Sequence, residues 1–123
     1  MIEICASETL INGGRGVRFE VCVAGRAVPA FAVRYGGVAR AYLNRCAHVA
    51  MELDWQPGEF FDFDADHLVC ATHGALYDPA SGACLGGACV GHGHLRTLLV
   101  HERDGRVWWQ PDGYAEAPPR PTV

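Results

Sequence analysis

The sequence predicts an all-β protein, and three observations carry that prediction. Apolar and polar residues alternate over short stretches, a Gly-Gly and an Asp-Gly dipeptide punctuate those stretches, and no long amphipathic helical pattern occurs. Val17 to Val23 places Phe19, Val21 and Val23 on one face and Arg18, Glu20 and Cys22 on the other. Ala30 to Tyr35 and Val38 to Leu43 flank Gly36-Gly37, whose tolerance of positive φ predicts a hairpin. The second of these strands runs directly to Cys46. A strand over about Asp66 to Val69 ends at Cys70. Leu95 to Arg103 and Arg106 to Gln110 flank Asp104-Gly105 and predict a second hairpin. From Pro111 onward four of the seven prolines fall close together, which predicts an irregular or disordered tail over 111–123 behind a single domain over 1–110.

A chain of 123 residues is one domain, large enough to bury a core without disulfide staples. Half of it is apolar and a fifth is charged, as in globular proteins. A formal net charge of −4 argues against nucleic acid, which rewards clustered cations. No apolar run reaches the length of a membrane span, and Met1 to Glu8 lacks the basic region of an export signal. The expectation is a cytoplasmic protein that contacts neither nucleic acid nor membrane. In such a compartment six cysteines point to a metal site before a disulfide scaffold.

Two short Cys/His clamps carry the chemistry: Cys46-Ala-His48 and Cys70-Ala-Thr-His73. Each offers one thiolate and one imidazole. Together they suit either one four-coordinate ion or two irons with different ligand sets. A structural Cys₂His₂ zinc site, supporting an interaction module, is one reading. Zinc fingers, however, usually place both cysteines in one knuckle and both histidines on one helix, whereas each arm here is mixed.

C-x-H followed by C-x-x-H resembles the Rieske motif. The resemblance extends through Asn44-Arg-Cys-Ala-His48, Leu53-Asp-Trp-Gln-Pro-Gly58, Cys70-Ala-Thr-His-Gly-Ala-Leu-Tyr-Asp78 and the Gly82 to Gly91 stretch, which are similar to small stand-alone Rieske ferredoxins. It implies a Rieske fold of three stacked antiparallel sheets, with a small cluster-binding subdomain at about 44–86. It implies one [2Fe–2S] cluster per chain, with Cys46 and Cys70 on one iron and His48 and His73 on the outer iron. It also implies a soluble one-electron carrier, not an enzyme, working between a flavin reductase and a terminal oxygenase of a dioxygenase system. The alternative within the family is a small subunit of a larger oxidoreductase, such as a nitrite-reductase-like complex. A complete oxygenase would need a further domain holding a 2-His-1-carboxylate iron.

The chain departs from the family's pattern at several positions. The segment between the clamps is longer than usual, and Ala47 stands where proline is common. Met51 and Thr72 replace the cysteines of the loop-to-loop disulfide found in high-potential members. Ala75 replaces a serine that bonds the cluster, while Tyr77 matches a tyrosine that bonds a ligand sulfur. Fewer hydrogen bonds to sulfur stabilise the reduced cluster less, so a potential in the lower part of roughly −150 to +300 mV is expected.

Among the remaining residues, Cys84 and Cys89 are expected to pack as small apolar groups rather than as a disulfide. Cys5 and Cys22 read as packing residues within strands, and His92-Gly93-His94 reads as a solvated turn. His67 and His101 carry no functional assignment. Glu52, Asp54, Glu59, Asp62, Asp64 and Asp66 lie in a segment without Lys or Arg. They form either an ordinary solvated loop or an acidic collar that steers a basic redox partner. Trp55 suits either a shield over the cluster or a core anchor.

Overall fold

The computed structural model describes residues 1–46, 51–72, 74–89 and 93–118. Among these residues nine strands form: β1 (Ile2–Ala6), β2 (Val17–Val23), β3 (Arg26–Tyr35), β4 (Val38–Leu43), β5 (Leu68–Val69), β6 (Leu76–Tyr77), β7 (Cys84–Gly86), β8 (Thr97–Arg103) and β9 (Arg106–Gln110). Single 3-10 turns follow β1 and β7, at Ser7–Thr9 and Gly87–Cys89. The larger sheet has the order β1-β9-β8-β4-β3-β2 and the smaller one β5-β6-β7, with every strand pair antiparallel. Only Ala41↔Leu98 and Tyr42↔Thr97 join β4 to β8. The larger sheet is thus two three-stranded sheets meeting along a short seam, and the smaller sheet makes the third expected from the sequence.

Both expected hairpins form, with the glycines of Gly36-Gly37 and Gly105 at positive φ. A further hairpin joins β2 to β3 through Ala24-Gly25, both at positive φ, and pairs Val23 with Arg26. β3 therefore begins earlier than the alternation suggests, because Pro29 sits within it opposite Glu20 and masks the pattern. The strand expected around Cys5 is β1, whose bounds no alternation marks because its pairing with β9 shifts register between Glu3 and Cys5. β6 and β7 are too short to show any period.

β3 divides the protein into two cores. Ala30 and Ala32 face one core with Val21, Ala41, Leu43, Leu98, Val107 and Trp109. Phe31 and Val33 face the other, with Tyr42, Leu53, Phe60, Leu68, Tyr77 and Leu95. Small residues on one side and large ones on the other follow from the alternation of side chains along a strand. Phe31 stacks on Phe60 at a centroid distance of 3.9 Å, tying the large sheet to the segment that carries β5. Tyr42 donates to the Pro79 carbonyl at 2.8 Å, and burial pushes its pKa up to about 12, so it remains a neutral donor.

A polar pin closes the far side. Arg34 of β3 meets Glu102 of β8 through two contacts of 2.6 and 2.9 Å and donates to the Leu10 carbonyl at 2.7 Å. Beyond β9 the backbone is irregular, yet it is tied down. Cys22 and Glu116 exchange two backbone hydrogen bonds of 2.8 Å, Ala115 is buried, and Arg96 lies 4.0 Å over the Tyr114 ring. No helix among the described residues is long and apolar enough to cross a membrane.

Candidate metal centre

β4 delivers the chain into the first clamp. Asn44 donates its backbone N–H to the Pro29 carbonyl, and Cys46 donates to the Met51 carbonyl at 2.7 Å. β5 and β6 hold the second clamp between them. Cys70 donates to the Ala75 carbonyl at 2.9 Å and Gly74 donates back to the Cys70 carbonyl at 2.7 Å. Cys46 and Cys70 are 3 % and 0 % exposed and belong to one core with Leu53, Ala75, Tyr77 and Leu95. The Tyr77 hydroxyl lies 3.1 Å from the Cys46 sulfur, as the resemblance implied. His48 and His73 lie outside the described residues, as does His92. Among the described residues no three metal-binding side chains gather.

A buried polar chain ties the two clamps together. The Asn44 side chain accepts from the Leu53 N–H and donates to Asp54, both at 2.8 Å. The Leu53 carbonyl in turn accepts from the N–H of Ala71, next to Cys70. Asp54 also accepts from the Gly58 N–H at 2.9 Å and lies 3.5 Å from the Arg18 guanidinium, with its side chain wholly buried. Sequence reasoning counted Asp54 only as one of several surface acids. An aspartate ten residues after an asparagine carries no local signal of this pairing.

Other expectations need correction. Trp55 is 79 % exposed and does not anchor the core. Two upstream arginines partly offset the acidic segment: Glu52 pairs with Arg18, which also lies 3.5 Å from Asp54, and Glu59 lies 3.7 Å from Arg15. Within the segment, the His67 ring lies 3.0 Å from Asp62. Burial opposes ionisation of Asp62, but hydrogen bonds from His67 and from the Asp66 N–H outweigh it and lower its pKa. Cys84 and Cys89 form a disulfide instead of packing as thiols. The turn through Gly86 and Gly87 brings their Cα atoms to 6.2 Å, within bridging distance. Cys5 and Cys22 lie half-buried in β1 and β2, as expected, and His94 is exposed.

The donor chemistry suits a sulfur-ligated metal centre. Two buried cysteines share one apolar core, and a hydroxyl lies beside one of the sulfurs. Residues 1–111 match the family model described as the Rieske [2Fe-2S] domain, and the chain belongs to that family, whose cofactor is a [2Fe–2S] cluster. Solved structures share the fold. The ferredoxin of carbazole 1,9a-dioxygenase from Nocardioides aromaticivorans IC177 has a TM-score of 0.67 at 22% identity, covering 90% of this chain and 97% of that one. A chain from the complex of reduced oxygenase and oxidized ferredoxin in carbazole 1,9a-dioxygenase gives 0.66 at 22%, covering 89% and 100%. The terminal oxygenase of carbazole 1,9a-dioxygenase from Novosphingobium sp. KA1 gives 0.66 at 19%, covering 96% of this chain and 30% of that one. No curated protein sequence matches the chain.

Proposed function

We propose that the protein is a one-electron carrier, not itself an enzyme, that takes electrons from a flavin reductase and passes them to a terminal oxygenase in the cytoplasm. The observation that carries this reading is the buried pair Cys46 and Cys70 with the Tyr77 hydroxyl at the Cys46 sulfur, in a chain of the Rieske family. The likeness in fold over 97% of a dioxygenase ferredoxin chain supports the carrier reading. Cys46 and Cys70 hold one iron, and His48 and His73 hold the other. Residues 44–86 form the cluster-binding part of a domain that runs through 110.

When bound, the cluster supplies reversible one-electron transfer at a potential set by its ligands and surroundings. The rest is the work of the chain. Leu53, Ala75 and Leu95 keep water from the sulfurs, and the Asn44–Leu53–Ala71 hydrogen bonds keep the two clamps in register. The Tyr77 hydroxyl lies 3.1 Å from the Cys46 sulfur, and with Cys46 as a thiolate ligand its O–H would donate to that sulfur and favour the more negative state of the centre.

Anaerobically purified protein should contain two irons and two acid-labile sulfides per chain, bleach with dithionite and give a low-average-g EPR signal. A colourless, zinc-containing preparation would refute the reading. His73→Cys should keep colour and lower the midpoint potential, because the outer iron gains an anionic ligand. Rapid mixing of the reduced protein with a terminal oxygenase should reoxidise it within a catalytic turnover; reoxidation only by air would remove the proposed acceptor.

A further inference from the structure

The Cys84–Cys89 disulfide lies beside the second clamp. β7 starts at Cys84, the chain turns at Gly86-Gly87, and a 3-10 turn returns it to Cys89. Both cysteines are buried in the core that holds Cys46, Cys70, Ala75 and Tyr77. The turn presses on the clamp itself. Gly87 has a φ of +74°, and a Cβ there would come within 2.2 Å of the Gly74 carbonyl oxygen and 3.1 Å of the Ala75 Cα. Gly74 and Ala75 supply the two hydrogen bonds that close the loop around Cys70. Backbone therefore meets backbone with no side chain between to absorb movement.

We propose that the Cys84–Cys89 disulfide is a redox-modifiable brace that positions the second clamp. With the bond closed, the turn holds Gly74 and Ala75 in place behind Cys70. A dithiol reductant opens it by exchange. The Cys84–Cys89 bond breaks, two S–H bonds form with two electrons and two protons from the reductant, and the reductant's own sulfurs join. Leu85 and Gly87 are exposed while the sulfurs are covered, so a small dithiol suits this exchange better than a bulky protein surface. Once opened, the turn lifts from Gly74, and the backbone behind Cys70 loosens. As regards the cluster, this inference rests on the proposed ligand role of Cys70.

The test uses iron-loaded protein, before and after treatment with dithiothreitol, with alkylation and peptide mass analysis to read the state of Cys84 and Cys89. A loop closed by a bond five residues apart gains roughly fortyfold in its opening equilibrium from chain entropy. Amide exchange at Cys70 and Gly74, the two donors that close the loop, should therefore accelerate about tenfold or more on reduction. The midpoint potential and EPR g-values should shift with it. Cys84→Ala/Cys89→Ala should reproduce the reduced state and show no further response to dithiothreitol. Free thiols at both positions in untreated protein, or unchanged exchange at Cys70 and Gly74 after reduction, would overturn the brace. Since thiol state and amide exchange are read without reference to iron, a protein that lacks the cluster but passes these tests would refute the carrier reading alone.

Discussion

At the residue scale, two side chains stand out. Tyr77 is wholly buried, and its hydroxyl has a sulfur for a neighbour. If Cys46 holds iron, Tyr77→Phe removes a donor that favours the reduced centre, and the midpoint should fall. A differential of about 1 kcal/mol corresponds to about 40 mV for one electron. Protein-film voltammetry of the variant would read it, and an unchanged or raised midpoint would contradict the role. Asn44 is the second. Asn44→Ala leaves the Leu53 N–H and the Asp54 carboxylate short of partners in a buried place, which should cost about 2–3 kcal/mol in denaturant unfolding. Iron retention should fall as well, since the same residue keeps the clamps in register. Neither role could be read fully from the chain. Tyr77 was recognisable by its place after the Cys70 motif, whereas the partner of Asn44 is set by how the intervening loop folds back.

At the element scale, the Arg34–Glu102 pair joins β3 to β8 across the larger sheet. The Arg34 hydrogen bond, partly opposed by burial, lowers the Glu102 pKa, and the Glu102 hydrogen bond raises that of Arg34. Glu102 therefore contributes stability that is whole above the unfolded carboxyl value of about 4.3 and drains away as pH falls through the lower folded value. Glu102→Gln should cost about 1 kcal/mol near pH 7, with the gap from the native chain closing below about pH 4. Urea unfolding at both pH values would check it. A constant gap across this range would mean that packing, not charge, supplies the effect. The elements themselves were legible where a period had room to show. β2, β4 and β9 lie where alternation and turn dipeptides put them, while β6 and β7 exist only through their pairing.

At the scale of the whole molecule, charge is arranged differently from its order in sequence. The acidic stretch between the clamps looked unopposed because Arg15 and Arg18 lie far upstream, yet the fold brings both to it. Among the described residues, Asp64 and Asp66 form no ion pair, and they are the remaining candidates for steering a basic partner. Reversing both to lysine should slow electron transfer several-fold at low salt. The effect should vanish near 0.5 M salt, where the screening length is roughly 4 Å. Stopped-flow rates with a redox partner that do not depend on salt would dismiss steering by these residues. Arg26, Arg45 and Glu52 line a cavity of about 520 Å³ beside the first clamp, so two cations meet one carboxylate there although the chain is acidic overall. A net charge alone carries no such detail.

Because β3 is covered on both sides, neither core can come apart without baring one flank of the strand they share. Heating should accordingly melt the sheet seam and the iron-bearing end together, in a single calorimetric peak, with bleaching of colour tracking the loss of β structure degree for degree.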